Sequence, residues 1–262
     1  MHAFEMASVL AAGAYFAFLA GEALLLKRAR RSLRVVIHVN GTRGKTETTR
    51  LLAAALRACG LRTLAKTTGT VPRLLLEDGS ERPWRRWGAA NVREQRDVLL
   101  TAWRRQAEAL VVECMAVSPD AQAASTAFLR PDVLVVTNAR PDHAAELGTP
   151  AEALAVFTEG ALDSAIAITA DAAVHVELLK AVSPGRVRLA EPFLADGCGH
   201  AENAGVALAV IRWLGLPQDA AQRGMAQHRR DPGAFTLRRL PRREGGHILI
   251  ADALSANDPH ST

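Results

Sequence analysis

The sequence predicts an α/β fold on a mainly parallel sheet, preceded by one transmembrane helix. Three observations carry that prediction. Short apolar or β-branched runs recur along the chain, too short for helices and bounded by turn residues. Segments with apolar residues at helical spacing separate them, the arrangement of parallel strands covered on both faces. In front of both lies a stretch, 6–21, without one charged residue.

That stretch reads MASVLAAGAYFAFLAG. Its apolar character runs on past Glu22 to Leu26 and then meets Lys27-Arg28-Ala29-Arg30-Arg31. About 20 apolar residues cross a bilayer as a helix. A cleaved signal peptide carries its positive charge before the apolar run, and here the order is reversed. The positive-inside rule therefore expects a single-pass anchor in the cell membrane, with the N-terminus outside and everything after Lys27 in the cytoplasm. The alternative is an amphipathic surface helix or a buried core helix, and Glu22 favours it.

Strands are expected at 34–40 (RVVIHVN), 109–113 (ALVVE), 133–137 (VLVVT), 165–169 (AIAIT), 187–189 and 247–251 (HILIA). Helices are expected at 46–58, 92–107, 150–159, 172–181 and 202–214, the first stopped by Gly60 and the last by Gly215. Residues 73–88 contain the turn signal Glu77-Asp78-Gly79-Ser80 and read as a hairpin or excursion. Hydrophobic residues at 49% and charged residues at 23% describe an ordinary globular chain and exclude a disordered one.

The net charge of +5 would suit nucleic acid, anionic lipid or a polyanionic substrate. Arginines cluster at 27–34, 82–105 and 223–243, with few aromatics between them and no zinc finger or stacking module. Nucleic acid is therefore not the expected partner, and most of these arginines are read as solvated. Cys59, Cys114 and Cys198 form neither a metal-ligand pattern nor a disulfide framework, which is the usage of a reducing compartment.

The chemistry begins at Gly41-Thr42-Arg43-Gly44-Lys45-Thr46, which follows an apolar strand and opens a helix. Glycines let the backbone approach phosphate oxygens, and successive N–H groups at a helix start hold negative charge. Lys45 would reach the β- and γ-phosphates and the Thr46 hydroxyl would ligate Mg²⁺. The spacing G-x-x-G-K-T is shorter than that of the usual phosphate loop, so its position between strand and helix carries the reading. Lys66-Thr67-Thr68-Gly69-Thr70 is a second hydroxyl-rich turn, with an ordinary turn as its alternative. Glu113 ends the strand ALVVE, and Thr137-Asn138-Ala139-Arg140-Pro141-Asp142-His143 follows VLVVT. Both stand at the carboxyl edge, where open α/β sheets hold ligands. Glu113 and His143 are thus candidates to share a metal with the phosphates, the histidine through a neutral ring nitrogen.

Taken together, VIHVNGTRGKT, LAKTTGTVPRLLLEDGS, AANVREQ, LVVECMAVSPDAQ, VVTNARPDH and DALSANDPHST resemble the Mur ligase superfamily. Within it they resemble the ligase subunit of poly-γ-glutamate synthase. The resemblance runs from about Arg34 to Thr262 in six ordered blocks and includes the anchor. It implies an ATP-dependent amide ligase that activates a γ-carboxylate as an acyl phosphate for attack by a glutamate amine. It also implies ATP with Mg²⁺ or Mn²⁺, a glutamate or poly-γ-glutamate chain as substrate, and other membrane subunits as partners.

By the same resemblance Gly41, Thr42, Arg43, Gly44, Lys45 and Thr46 would bind ATP, with Lys45, Glu113 and His143 catalytic. Thr46, Glu113 and His143 would hold metal, and Thr67, Thr68, Gly69 and Thr70 would face phosphate and acceptor. Asn203 would lie on the adenine side, Asp252 at the ribose and Arg230 near the γ-phosphate, with Arg229 an equal candidate. The implied plan is an anchor at 1–33, an ATP-binding domain at 34–252, and at 253–262 the start of a linker to a C-terminal domain outside this sequence. Two departures from the resemblance stand out: no lysine occurs between Lys66 and Lys180, where many relatives carry a metal-bridging one, and the sequence stops where the linker to the expected C-terminal domain begins. The competing readings are another Mur- or folylpolyglutamate-type amide ligase and an inactive nucleotide-binding scaffold of a membrane complex.

Overall fold

The computed structural model describes residues 2–69, 71–86, 88, 90–141, 144–158, 166–170, 173–183, 185–194, 199–231, 233–234, 236–242 and 246–252. After helix α1 (His2–Ser32) come β1 (Val35–Asn40), α2 (Lys45–Ala58), β2 (Thr63–Lys66), β3 (Arg73–Leu75) and β4 (Glu81–Pro83). The middle holds α3 (Arg93–Arg104), β5 (Ala109–Glu113), α4 (Pro119–Leu129), β6 (Val133–Val136), α5 (Ala144–Leu147), α6 (Pro150–Thr158) and β7 (Ile166–Thr169). The chain continues through α7 (Ala173–Val182), β8 (Arg188–Leu189), α8 (Ala201–Trp213), α9 (Gln218–Ala226), β9 (Thr236–Pro241) and β10 (His247–Asp252).

The main sheet runs in the order β4-β3-β2-β5-β1-β6-β7-β8. From β2 to β8 every pairing is parallel, and β3 and β4 extend it as an antiparallel hairpin at one side. That hairpin is the excursion expected at 73–88. Parallel strands need both faces covered, because their connections return across the sheet. Val35, Ile37, Val39, Val111 and Val135 pack under α2, α8 and α9, whereas Val36, Leu64, Leu110 and Val112 pack under α1 and α3. The near-continuous apolar character of β1, β5 and β6 follows from this two-sided burial. On the first face α9 comes very close to α2: a Cβ on Gly224 would lie 2.6 Å from the Ala54 carbonyl oxygen.

One expectation is corrected. HILIA forms β10, but it pairs antiparallel with β9 in a separate two-stranded sheet, not with the main one. An antiparallel partner close by in the sequence satisfies its backbone without a crossover. Asp252 therefore does not end a strand of the main sheet; the register sets it opposite Thr236.

Helix α1 is long and apolar enough to cross a membrane, with a mean hydropathy of 1.9 in its apolar window and none of that window buried. Its last third behaves differently. Ala29 and Leu33 are buried, and Leu26 packs beside them in the cluster around Val98, Leu99 and Ala102 of α3. Glu22 pairs with Arg96 of α3, and Arg30 Nη2 lies 2.6 Å from Asp132 Oδ1. The exposed apolar part and the docked part form one uninterrupted helix.

His38 sits fully buried on β1, its Nε2 3.3 Å from Ser125 Oγ and its Nδ1 without a protein partner. Burial lowers its pKa to about 4 from an ordinary 6.5. The unfolded chain takes up this proton below pH 6.5 and the folded chain only near 4, so stability is intact above 6.5 and falls as pH drops through that window. The loss approaches about 3 kcal/mol at the acid end. Urea titrations between pH 7 and 4 should show this slope, and His38→Gln should flatten it; an unchanged slope in the variant would contradict the assignment.

Candidate active site

The strands β2, β5, β1 and β6 end together on one edge, and the loop after β1 lies at its centre. Gly41 and Gly44 adopt φ of 120° and 80°, the left-handed region that side chains rarely enter. Neither has room for a side chain: a Cβ on Gly44 would lie 2.5 Å from Asn203 Oδ1, and one on Gly41 2.9 Å from the Asn138 carbonyl oxygen. Gly44→Ala should therefore weaken binding of a fluorescent ATP analogue at least about tenfold and cost about 1–2 kcal/mol in stability. An unchanged affinity would show that the loop does not carry the nucleotide.

The loop is pinned from the neighbouring strand. Asn138 Oδ1 accepts from Thr42 Oγ1 at 2.5 Å and from the Arg43 N–H at 2.9 Å. Asn138 Nδ2 and Thr137 Oγ1 both donate to the Arg43 carbonyl, at 3.0 and 2.5 Å. Lys45 Nζ curls back over the loop and donates to the carbonyls of Gly41 and Thr42, at 2.5 and 3.1 Å. Helix α2 starts at Lys45, so its first N–H groups and its partial positive charge face the same space as that ammonium.

Thr46 and Glu113 meet across this centre. Thr46 Oγ1 donates to Glu113 Oε1 at 2.9 Å, and the Thr68 N–H donates to Glu113 Oε2 at 2.7 Å. The Thr67–Gly69 turn closes over them, since a Cβ on Gly69 would come 2.9 Å from Thr46 Oγ1. Thr67 itself faces away: its Oγ1 accepts from the Arg73 N–H at 3.2 Å and serves the link to β3. A buried carboxylate beside a hydroxyl is a pair of hard oxygen donors, the chemistry that suits Mg²⁺ or Mn²⁺ alongside phosphate oxygens. The residues present thus fit such an ion. His143 and Thr70 lie outside the described residues.

Several contributors are not among the expected site residues. Glu47, in the first turn of α2, accepts from Asn203 Nδ2 and from the Gly199 N–H, both at 2.7 Å. It fixes buried Asn203 against the phosphate loop. Lys66, fully buried at the end of β2, pairs with Glu94 Oε2 at 2.8 Å and lies 5.3 Å from the Trp84 ring centre. Burial pushes the Lys66 ammonium down despite that partner. Burial opposes ionisation of Glu94 too, but hydrogen bonds from Arg86 and Lys66 hold its carboxyl below the ordinary range. Beside Glu113, burial pushes the Cys114 thiol up to about 11, so it stays protonated and unreactive.

Arg230 is exposed, and its neighbours are held in place. Arg50 Nη1 donates to the Arg229 carbonyl at 3.2 Å, and Arg50 Nη2 lies 3.7 Å from Asp231 Oδ1. Arg50 stands five residues beyond Lys45 on α2, about 7 Å along the helix axis. Asp252 ends the hairpin opposite Thr236, which follows this segment.

The family model of the Mur ligase middle domain matches residues 39–181, more than half of the chain, from the end of β1 into α7. The chain belongs to the Mur ligase family. This Mur ligase chain is 32% identical over 246 residues to the capsule biosynthesis protein CapB of Bacillus anthracis, covering 88% of itself and 53% of that protein. It is 32% identical over 249 residues to the PGA synthase CapB of Bacillus subtilis, covering 88% of itself and 62% of the relative. It therefore spans little more than half the length of these relatives. Among solved structures it is similar to MurF from Acinetobacter baumannii, with a TM-score of 0.64 at 18% identity over 90% of this chain and 54% of that one. It is also similar to E. coli FolC in complex with ADP, with a TM-score of 0.61 at 18% identity over 83% of this chain and 63% of that one. At such identity the structures establish the Mur ligase fold alone.

Proposed function

We propose that this chain carries the ATP site of a poly-γ-glutamate-type amide ligase, anchored in the cell membrane by α1 with its catalytic domain in the cytoplasm. The single observation that carries the reading is the convergence of Lys45, Thr46 and Glu113 on one phosphate loop. The 32% identity to two CapB proteins supports the choice among ligases.

In this reading the loop N–H groups of residues 41–46 cradle the β- and γ-phosphates, and Lys45 swings from the loop carbonyls to the γ-phosphoryl oxygens. Thr46, Glu113 and His143 hold the divalent cation, Mg²⁺ or Mn²⁺. That ion supplies charge neutralisation on the phosphate oxygens when bound. Asn203, held by Glu47, lines the nucleotide side of the loop, and Arg230 and Asp252 complete it toward the γ-phosphate and ribose. Thr68, Gly69 and Thr70 border the acceptor.

The γ-carboxylate oxygen of the acceptor bonds to the γ-phosphorus as the bond to ADP breaks, giving an acyl phosphate. The amine of an incoming glutamate then attacks the acyl carbon, loses a proton, and phosphate leaves with the former carboxylate oxygen. Phosphoryl transfer of this kind needs positioning and fixed positive charge rather than a covalent protein nucleophile. The other synthase subunits would be membrane partners.

The test is ATP hydrolysis by the chain in proteoliposomes with and without a short γ-glutamyl chain plus glutamate. ADP and phosphate released only with both substrates is the expected outcome. Production of AMP, or nucleotide binding without substrate-dependent turnover even with the other synthase subunits present, would overturn the reading.

A further inference from the structure

Helix α1 meets the domain with a defined direction, and that direction has a functional consequence. Its docked stripe is Glu22, Leu26, Ala29 and Arg30, continued by Leu33 just after the helix. Glu22 pairs with Arg96 in the first half of α3, two residues from Glu94, which in turn holds Lys66 at the carboxyl end of β2. Arg30 pairs with Asp132, whose Oδ2 accepts from the Val36 N–H at the amino end of β1. From residue 22 to residue 32, then, α1 runs from the sheet's carboxyl edge to its amino edge. The preceding residues leave the domain beyond the carboxyl edge, the edge that carries the phosphate loop. At 1.5 Å per residue, 4–21 extend roughly 27 Å past it, about the apolar thickness of a bilayer.

No linker separates the two parts, and the ion pairs Glu22–Arg96 and Arg30–Asp132 hold the helix at both ends of its contact. The same edge carries exposed arginines that the ATP site does not use. Pro83 pairs with Arg73 beside the end of β2, which brings Arg82 and Arg85 to this edge, and Arg93 starts α3 there. Asp120, at the start of α4, is an exposed carboxylate on the same edge.

We propose that α1 holds the domain with the mouth of its ATP site facing the bilayer, and that Arg82, Arg85 and Arg93 rest on anionic lipid headgroups. The inference depends on α1 being membrane-inserted. It places polymer growth at the membrane surface rather than on the far side of the domain. Basic residues near an anionic surface are attracted to it, so these three reinforce an orientation that the helix already sets.

The test uses the full chain with Cys59→Ser and Cys198→Ser, reconstituted in vesicles of phosphatidylcholine and phosphatidylglycerol. A fluorophore is placed at Ala90→Cys, by the carboxyl edge, or at Arg104→Cys, at the other end of α3. Quenching by headgroup-spin-labelled lipid should be at least about twofold stronger at residue 90, since the length of α3, about 17 Å, separates the two. A Gly-Ser insertion between Gly21 and Glu22 should abolish the difference. Equal or reversed quenching in the uninserted chain would overturn the orientation. Charge reversal by Arg82→Glu, Arg85→Glu and Arg93→Glu should remove the extra quenching that phosphatidylglycerol brings, and if it does not, the headgroup contact is wrong. Failure to float with vesicles would instead sink the membrane reading itself, independently of the ATP site.

Discussion

Replacing Lys45 with alanine is expected to lower substrate-dependent ATP hydrolysis by about 100- to 1000-fold, the usual loss when one preorganised charge donor at a developing negative charge is removed. The geometry explains the size of the effect. Lys45 Nζ already sits over the loop on the Gly41 and Thr42 carbonyls, so little reorganisation separates it from the γ-phosphoryl group. Lys45→Arg should recover little, because a planar fork cannot occupy the space of a compact ammonium. The fold should be untouched, since both hydrogen bonds of the ammonium go to its own loop. Steady-state ADP release with both substrates present measures this, with far-ultraviolet circular dichroism as the control. A loss below about threefold would remove Lys45 from the chemistry.

Arg50→Ala is expected to destabilise the domain by about 3–5 kcal/mol, through packing rather than chemistry. Arg50 is almost completely buried, with Nη1 2.5 Å and Nη2 3.2 Å from the two Glu81 oxygens. Its removal leaves a buried carboxylate on β4 and frees the Arg229–Asp231 segment from α2. A single truncation strands a charge, whereas removing both partners does not. The double variant Arg50→Met with Glu81→Leu should therefore lose less than Arg50→Ala alone. Guanidinium unfolding in detergent micelles gives both numbers. A cost below about 1 kcal/mol for Arg50→Ala, or a double variant worse than the single, would contradict this account of the ion pair.

Much of the centre was legible because local sequence and fold agree there. The run VVIHVN, the two glycines and the start of α2 are adjacent in the chain, so strand, loop and helix could be read in order. Glu113 and the Thr137–Asn138 pair were legible as strand-terminal polar residues, although the pinning of the loop by Asn138 was not. What stayed hidden depends on distance in sequence. Glu47 reads as an acidic residue in a first helical turn, and its partners Gly199 and Asn203 lie about 150 residues away. Lys66 ends a four-residue strand, TLAK, too short and too polar to register by pattern.

Helix α4 carries a local start signal, with Ser118 capping and Pro119 in the first turn. Helix α9, QDAAQRGMA, offers few apolar residues and an internal glycine, because its close contact with α2 selects for smallness instead. Strand β9, TLRRLP, is arginine-rich and includes proline, and only its pairing with β10 makes it a strand. The arginine cluster at 82–105, read as solvated, is partly ion-paired, with Arg86 on Glu94, Arg96 on Glu22 and Arg105 on Glu77. Glu22, which argued against an anchor, has its charge met by Arg96 at the point where α1 joins the domain.

The most direct measurement follows an oxygen atom. A γ-glutamyl acceptor labelled with ¹⁸O at both oxygens of its terminal γ-carboxylate is supplied with ATP, Mg²⁺ and glutamate to the chain in proteoliposomes, and the released phosphate is analysed by mass. Activation as an acyl phosphate predicts one ¹⁸O in each phosphate and ADP in equal amount. Phosphate free of label, its oxygen drawn from water, would mean that the loop hydrolyses ATP without activating a carboxylate, and the ligase reading would be wrong.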